Sequence, residues 1–246
     1  MFWGYYISMI VFATALLEMS KDDISSTRTN KVILKDRKQR TESSRRWLIR
    51  QLNDPYVQKA KADGYRSRAA FKLMDIDEKF HLLKRGAVIV DLGAAPGGWT
   101  QVALKKIGEK GQVIAIDLQE IEPLPPAEII QGDFMEEAVL EKLLSMLPSK
   151  VDVVLSDMAS PACGMTDVDY IRIMALVELV YDFCFTALKP GGSMVAKVLR
   201  GGTENKLLQS MKKNFTKVVH FKPSSSRADS AEMYLVAIGF RPEKSA

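Results

Sequence analysis

Cysteine and histidine are scarce in this chain of 246 residues: Cys163, Cys184, His81 and His220 are the full set, with no C-x-x-C pair and the histidines far apart. A zinc site, a disulfide framework and a Cys-His nucleophile pair therefore lack the residues they need, and no metal is expected. Low cysteine use fits a reducing cytoplasm. Low-complexity tracts and internal repeats are absent as well, and 15 Gly and 10 Pro are ordinary numbers for this length. Collagenous and wholly disordered readings fall away. Long hydrophobic runs are missing except at the start, where Met1 to Leu17 carries no charged side chain before Glu18. That run is short for a membrane span, which needs about 20 apolar residues. It has a small-x-small Ala13-Thr14-Ala15 but no basic region ahead of it, as a secretory signal would have. The preferred reading is a start at Met19, which gives a cytoplasmic chain with no stable membrane partner.

Charge is present, and unevenly placed. The formal net charge is +5, yet Ser20 to Lys72 holds 15 Lys and Arg against 6 Asp and Glu, so this stretch is +9 and the remainder −4. A solvated tail would look the same, but beside a catalytic domain such a segment is what a polyanion-binding surface needs. Residues 1–18 read as an apolar leader, 19–45 as a flexible basic arm without apolar period, and 46–242 as one domain, with order beginning near Trp47.

From Tyr65 to Phe80, Ala69, Leu73, Ile76 and Phe80 recur at helical spacing, with Arg66, Arg68 and Lys72 off that face. After Gly86 the pattern changes to short β-branched runs at 87–93, 112–118, 128–134, 151–159 and 192–199, separated by helical stretches at 99–108, 136–147, 170–188 and 203–214. Runs that are apolar throughout are buried on both faces, and their alternation with helices predicts a parallel sheet covered on both sides. The last two runs, 217–223 and 232–240, are joined by a loop too short for a crossover and must pair antiparallel. The expectation is an α/β fold with a mostly parallel seven-stranded sheet, one antiparallel strand and helices on both faces.

The first run leads into DLGAAPGGW, where Gly93, Gly97 and Gly98 let the backbone approach a ligand. The spacing G-x-x-x-G-G departs from the dinucleotide fingerprint G-x-G-x-x-G. Asp117 ends the second run, placed to accept both hydroxyls of a ribose, and Asp133 ends the third, within reach of an adenine amino group. A lone Asp or Gly after a strand is usually a turn residue. Several together at successive strand ends outline a pocket for an adenosine without phosphate, with Trp99 either capping it or belonging to the core.

DLGAAPGGWTQVA, followed by QVIAIDL, QGDF and SDMA, resembles the FtsJ/RlmE family of S-adenosylmethionine-dependent ribosomal RNA 2′-O-methyltransferases. The likeness extends upstream through RRWLIRQLNDPYVQKAKADGYRSRAAFKL and downstream to KPSSSRADSAEMYLVA, about residues 43 to 240. It implies a Rossmann-like methyltransferase fold, S-adenosyl-L-methionine as cofactor, and Gly93, Gly97, Gly98, Trp99, Asp117, Asp133 and Asp157 around it. The loop Ser160 to Gly164 departs from the Pro-Asn common in the family, and no site residue is taken from it.

Methylating a ribose hydroxyl needs a base at the 2′ oxygen and in-line approach of the methyl group. Asp157 ends the fourth strand and Lys197 lies near the end of the fifth. Glu232 begins the strand that runs the other way, so all three should meet at one edge of the sheet, joined by Lys72 from the preceding helix. The resemblance implies a Lys72, Asp157, Lys197 and Glu232 set, with Lys197 as proton acceptor, Lys72 orienting the hydroxyl, and the carboxylates positioning the lysines. Taken singly, Lys72 would be a solvated helix lysine and Glu232 a loop-end acid. Lys197, inside SMVAKVL, is the exception, because a buried strand does not tolerate a lysine without a partner or a task.

Arg45, Arg46, Arg50, Lys59, Lys61, Arg66 and Arg68 lead toward Lys72 and are expected to track phosphates, which supplies affinity without sequence choice. The resemblance is closest to the compact bacterial members and implies a uridine of 23S ribosomal RNA within the large ribosomal subunit as substrate; a monomer is expected. The alternatives are transfer RNA 2′-O-methylation, a ribosome-assembly factor that binds RNA without catalysis, and a small-molecule methyltransferase, against which the basic segment argues.

Overall fold

The computed structural model describes residues 24–26, 32–34, 42–160, 163–201, 203 and 205–242. The apolar leader at 1–18 lies outside the described residues, and none of the described helices is long and apolar enough to cross a membrane. The chain divides into two compact units, Met1–Asp63 and Gly64–Ala246.

In the first unit, β1 (Ile24–Ser26) and β2 (Val32–Leu34) pair antiparallel. Both fall within the stretch read as an arm, because three-residue strands are too short to show a period. Helix α1 (Glu42–Leu52) also starts ahead of the boundary drawn at residue 46. Helix α2 (Pro55–Ala62) opens where Asp54 Oδ1 accepts from the N–H groups of Tyr56 (3.0 Å) and Val57 (3.4 Å). Pro55 takes the first helical position, where no N–H is needed.

The second unit runs α3 (Ala69–Phe80), β3 (Val88–Leu92), α4 (Gly98–Ile107), β4 (Gln112–Asp117), β5 (Glu128–Gln131), α5 (Glu137–Met146), β6 (Val151–Ser156), α6 (Thr166–Ala187), β7 (Leu188–Leu199), α7 (Asn205–Asn214), β8 (Phe215–Phe221) and β9 (Glu232–Phe240). The seven strands are ordered β5-β4-β3-β6-β7-β9-β8. Every neighbouring pair is parallel except the two that involve β9. This is the expected sheet with its single antiparallel strand. Helix α6 begins at Thr166, ahead of the expected 170. Its first turn is organised by Asp169, whose carboxylate accepts the backbone N–H of Cys163 (2.8 Å) and Gly164 (3.3 Å). Those bonds hold the Asp169 carboxyl below its ordinary range.

Alternation along the strands divides the core into two layers. Val90, Leu92, Ile114, Ile116, Met194, Ala196, Leu235 and Ala237 pack with residues of α5, α6 and α7. On the other face, Ile89, Val113, Val153, Leu155, Val195, Tyr234 and Val236 pack with residues of α3 and α4. Because side chains alternate, Lys197 shares the face of Val195 and so points to the α3 and α4 side. The order reverses at β3, which lies between β4 and β6. Such a reversal opens a crevice at the carboxyl ends of the strands, where this kind of sheet binds ligands.

Candidate active site

Register brings the polar groups together. Ser156 pairs with Ala196 across β6 and β7, so Asp157 emerges beside Lys197. Lys197 in turn pairs with Tyr234 of β9, and Leu199 with Glu232. Directly opposed residues share a face, as do residues two apart on one strand, so Lys197, Tyr234 and Glu232 point the same way. Lys72 reaches them from α3.

The contacts form one chain. Lys72 Nζ lies 2.6 Å from Glu232 Oε1, and Lys197 Nζ lies 2.9 Å from Asp157 Oδ1. Lys197 also donates to the backbone carbonyl of Asp157 at 2.7 Å, which fixes its amine from two directions. Between the two ion pairs stands the Tyr234 hydroxyl, 2.7 Å from Asp157 Oδ1 and 3.1 Å from Glu232 Oε1, sharing its hydrogen between them. Burial and the two carboxylates push the Tyr234 phenol well above its ordinary range, so it remains a donor. The four charged side chains are only 12% to 19% exposed, so solvent screens them little.

Tyr234 is the residue that sequence reasoning passed over, since in EMYLVAIGF it reads as one more buried aromatic. Its ring does pack in the core, 5.4 Å from the ring of Trp99, while its hydroxyl joins the polar chain. The signal was its place two residues after Glu232 on the same strand face. Trp99 itself is 2% exposed, and its indole N–H donates to the carbonyl of Ala69 at 2.9 Å. Its ring belongs to the core. Its backbone N–H lies in the first turn of α4, among the donors that a helix start leaves without a partner inside the helix.

The glycine loop crosses this edge between β3 and α4. At Gly93, with φ +74°, a Cβ would come within 2.6 Å of Met158 Cγ and 2.8 Å of Met158 N, so only glycine fits. Gly97 adopts φ +105°, and a Cβ on Gly98 would collide with Ser67 Oγ. Asp117 is oriented by backbone donors on both oxygens, Ala95 N at 2.9 Å and Gln119 N at 2.8 Å. Asp133 Oδ1 accepts from Met135 N at 2.9 Å. Each carboxylate keeps lone pairs for a ligand's hydroxyl or amino groups. A loop too close for side chains, a helix start and two oriented carboxylates at strand ends fit the adenosine and amino-acid parts of S-adenosylmethionine. Nothing in this donor set calls for a phosphate.

Asp91, inside β3, carries a separate electrostatic feature. It is fully buried; Thr100 Oγ1 donates to its Oδ2 at 2.7 Å, and its Oδ1 has no partner among the described residues. Burial, with Asp157 and Asp117 nearby, pushes its carboxyl up to about 7. An acid that holds its proton more tightly when folded binds more protons in the native state, so stability falls as pH rises between the unfolded value and that figure. The expected decline is about 3 kcal/mol from pH 4 to pH 7 and levels off above. Asp91→Asn is expected to flatten this decline, as measured by denaturant unfolding across that range. A variant with the wild-type slope would assign the pH dependence elsewhere.

The basic residues expected to meet RNA divide between the units. Arg45, Arg46, Arg50, Lys59 and Lys61 belong to the first unit, Arg66 and Arg68 to the second. Arg68 donates to the carbonyl of Ser225, and the Arg66 guanidinium is engaged by backbone carbonyls. Neither was foreseen as a structural contact.

Comparison with known proteins bears on this geometry. The sequence profile of the FtsJ-like methyltransferase family matches residues 65–240. The ribosomal RNA large subunit methyltransferase E of Xanthobacter autotrophicus is 55% identical over 216 residues, covering 87% of this chain and 85% of its own. The protein of the same name from Acidiphilium cryptum is 50% identical over 227 residues, covering 92% of this chain and 100% of its own. Among solved structures, a Plasmodium falciparum protein described as a ribosomal RNA methyltransferase superposes with a TM-score of 0.66 at 33% identity, over 73% of this chain and 100% of that one.

Proposed function

Because the chain belongs to the FtsJ-like methyltransferase family, whose methyl donor is S-adenosylmethionine, we propose that it methylates a ribose 2′-hydroxyl of large-subunit ribosomal RNA, a uridine of 23S RNA in the assembled subunit. The observation that supports the chemistry is the largely shielded chain Lys72, Glu232, Tyr234, Asp157 and Lys197 at the carboxyl edge of the sheet. The rRNA substrate is supported by relatives of that name that match this chain over most of their length.

S-adenosylmethionine, when bound, supplies a methyl group on a positively charged sulfur. Asp117 would hold its ribose hydroxyls and Asp133 its adenine amino group, while Gly93, Gly97 and Gly98 let the backbone close around the remainder. Lys197 first releases its own ammonium proton to solvent; as the neutral amine it takes the proton of the 2′-hydroxyl while the oxygen becomes nucleophilic, and the ammonium so formed is held by the side chain and the backbone carbonyl of Asp157. Lys72, anchored by Glu232, places a second cation where negative charge develops on that oxygen. Tyr234 keeps the two carboxylates at fixed separation.

Tyr234→Phe keeps the ring against Trp99 and removes the shared donor. Methyl transfer is expected to fall about tenfold, with a loss of about 1 to 3 kcal/mol in unfolding free energy from carboxylates left short of a partner. Wild-type rate and stability would assign the hydroxyl no part in the site.

The proposal is tested by supplying labelled S-adenosylmethionine to three substrates in parallel: large subunits lacking 2′-O-methylation, naked 23S RNA and bulk transfer RNA. Label confined to the large subunit is the expected result. Label on transfer RNA would move the substrate, and no label anywhere with intact donor binding would favour an RNA-binding factor without catalysis.

A further inference from the structure

Arg66 was expected to face RNA, but its side chain is turned to the protein. Nη1 donates to the carbonyls of Pro96 (3.2 Å) and Glu122 (2.8 Å), and Nη2 donates to that of Pro123 (3.0 Å). Pro96 lies in the glycine loop, whereas Glu122 and Pro123 lie in the segment after β4. One guanidinium thus ties together two loops that are remote in sequence. Its backbone is fixed too: Arg66 N donates to Gln101 Oε1 at 2.8 Å, and Gln101 Nε2 donates to the Gly64 carbonyl at 3.0 Å. Gln101 belongs to the first turns of α4, so Arg66 is seated on the helix that the glycine loop opens.

The same two loops are joined a second time by Asp117, whose carboxylate accepts Ala95 N from the glycine loop and Gln119 N from its own segment. Asp117 is the residue proposed to hold the donor's ribose. Gly97 makes the crossing possible, since a Cβ there would lie 3.0 Å from Arg66 Nη1 and 3.3 Å from its Cδ. The absent side chain at Gly97 therefore also makes room for Arg66.

We infer that Arg66 is a positioning residue of the methyl-donor pocket, a clasp that holds the glycine loop against the segment after β4, and that it is not a phosphate contact. The inference rests on the methyl-donor reading of the pocket. The shape of the group explains the residue type. A planar fork spreads its donors over two nitrogens at fixed separation, Nη1 to Pro96 and Glu122 and Nη2 to Pro123, whereas an ammonium would have to gather all three carbonyls around one point.

The two roles separate in binding measurements on the full chain. S-adenosylhomocysteine affinity is measured by calorimetry without RNA, and affinity for a 23S RNA fragment is measured across a salt series. Arg66→Ala is expected to weaken S-adenosylhomocysteine binding by tenfold or more and to leave the salt slope of RNA binding as in wild type. Arg66→Lys is expected to weaken the nucleoside to a similar degree, because it keeps the charge and loses the fork. Gln101→Ala, which unseats Arg66 without touching its charge, is expected to weaken the nucleoside by a smaller factor and serves if Arg66→Ala does not fold. Unchanged nucleoside affinity in the Arg66 variants would overturn the clasp. A salt slope reduced by about 1 in Arg66→Ala and restored in Arg66→Lys would make Arg66 a phosphate contact instead. A wild-type chain that binds no S-adenosylhomocysteine would overturn the donor reading, and the clasp with it.

Discussion

Lys197→Ala is expected to lower single-turnover methyl transfer by about a thousandfold, the middle of the range for removing a positioned proton acceptor. Among the described residues the amine it removes makes two contacts, both with Asp157, so the donor pocket at Gly93, Asp117 and Asp133 keeps its partners. S-adenosylhomocysteine affinity should therefore stay close to wild type while the rate falls. Truncation leaves Asp157 with Tyr234 as a donor and without its cation. Lys197→Met, which retains most of the aliphatic stem, separates lost chemistry from lost packing. Both variants should be equally slow. A rate within tenfold of wild type in either would remove Lys197 from the proton transfer.

Gly93→Ala is the second large effect. Its Cβ would lie 2.6 Å from Met158 Cγ, 2.8 Å from Met158 N and 2.9 Å from Met158 Cα. Two of those atoms are backbone, so no rotamer relieves the clash. Left-handed strain of about 1–2 kcal/mol adds to about 1–3 kcal/mol of overpacking, giving a loss of about 2–5 kcal/mol. Gly64→Ala is the control, because it has the same φ of +74° with nothing among the described residues within 4 Å of its Cβ. It should lose only the strain. Denaturant unfolding of the two variants makes the comparison, and donor binding should fail in Gly93→Ala alone. Equal losses would show that the close approach of the glycine loop to Met158 carries no weight.

The sheet was legible because its strands are buried on both faces and read as β-branched runs, with the last two too close for a crossover. The grouping of Lys197, Asp157 and Glu232 at one edge followed from strand direction, together with the family likeness, which also supplied Lys72. Tyr234 was hidden because its ring satisfies the core while its hydroxyl serves the site. Asp91 gave the same signal as Lys197, a charge within an apolar strand, and went unread beside the glycines that follow it. Arg66 could not be read at all. Its acceptors are carbonyls 30, 56 and 57 residues away, and carbonyls have no sequence signature. Three-residue strands such as Ile24–Ser26 escape for want of length.

The most direct test of the central claim is where the transferred methyl group sits. Large subunits lacking 2′-O-methylation are incubated with labelled S-adenosylmethionine and the chain, and their 23S RNA is then hydrolysed with alkali, which cannot cut next to a methylated 2′ oxygen. Label in an alkali-resistant dinucleotide beginning with uridine, absent when Lys197→Ala replaces the wild type, is the result this site predicts. Label recovered in ordinary mononucleotides would place the methyl on a base and contradict the role given to Lys197.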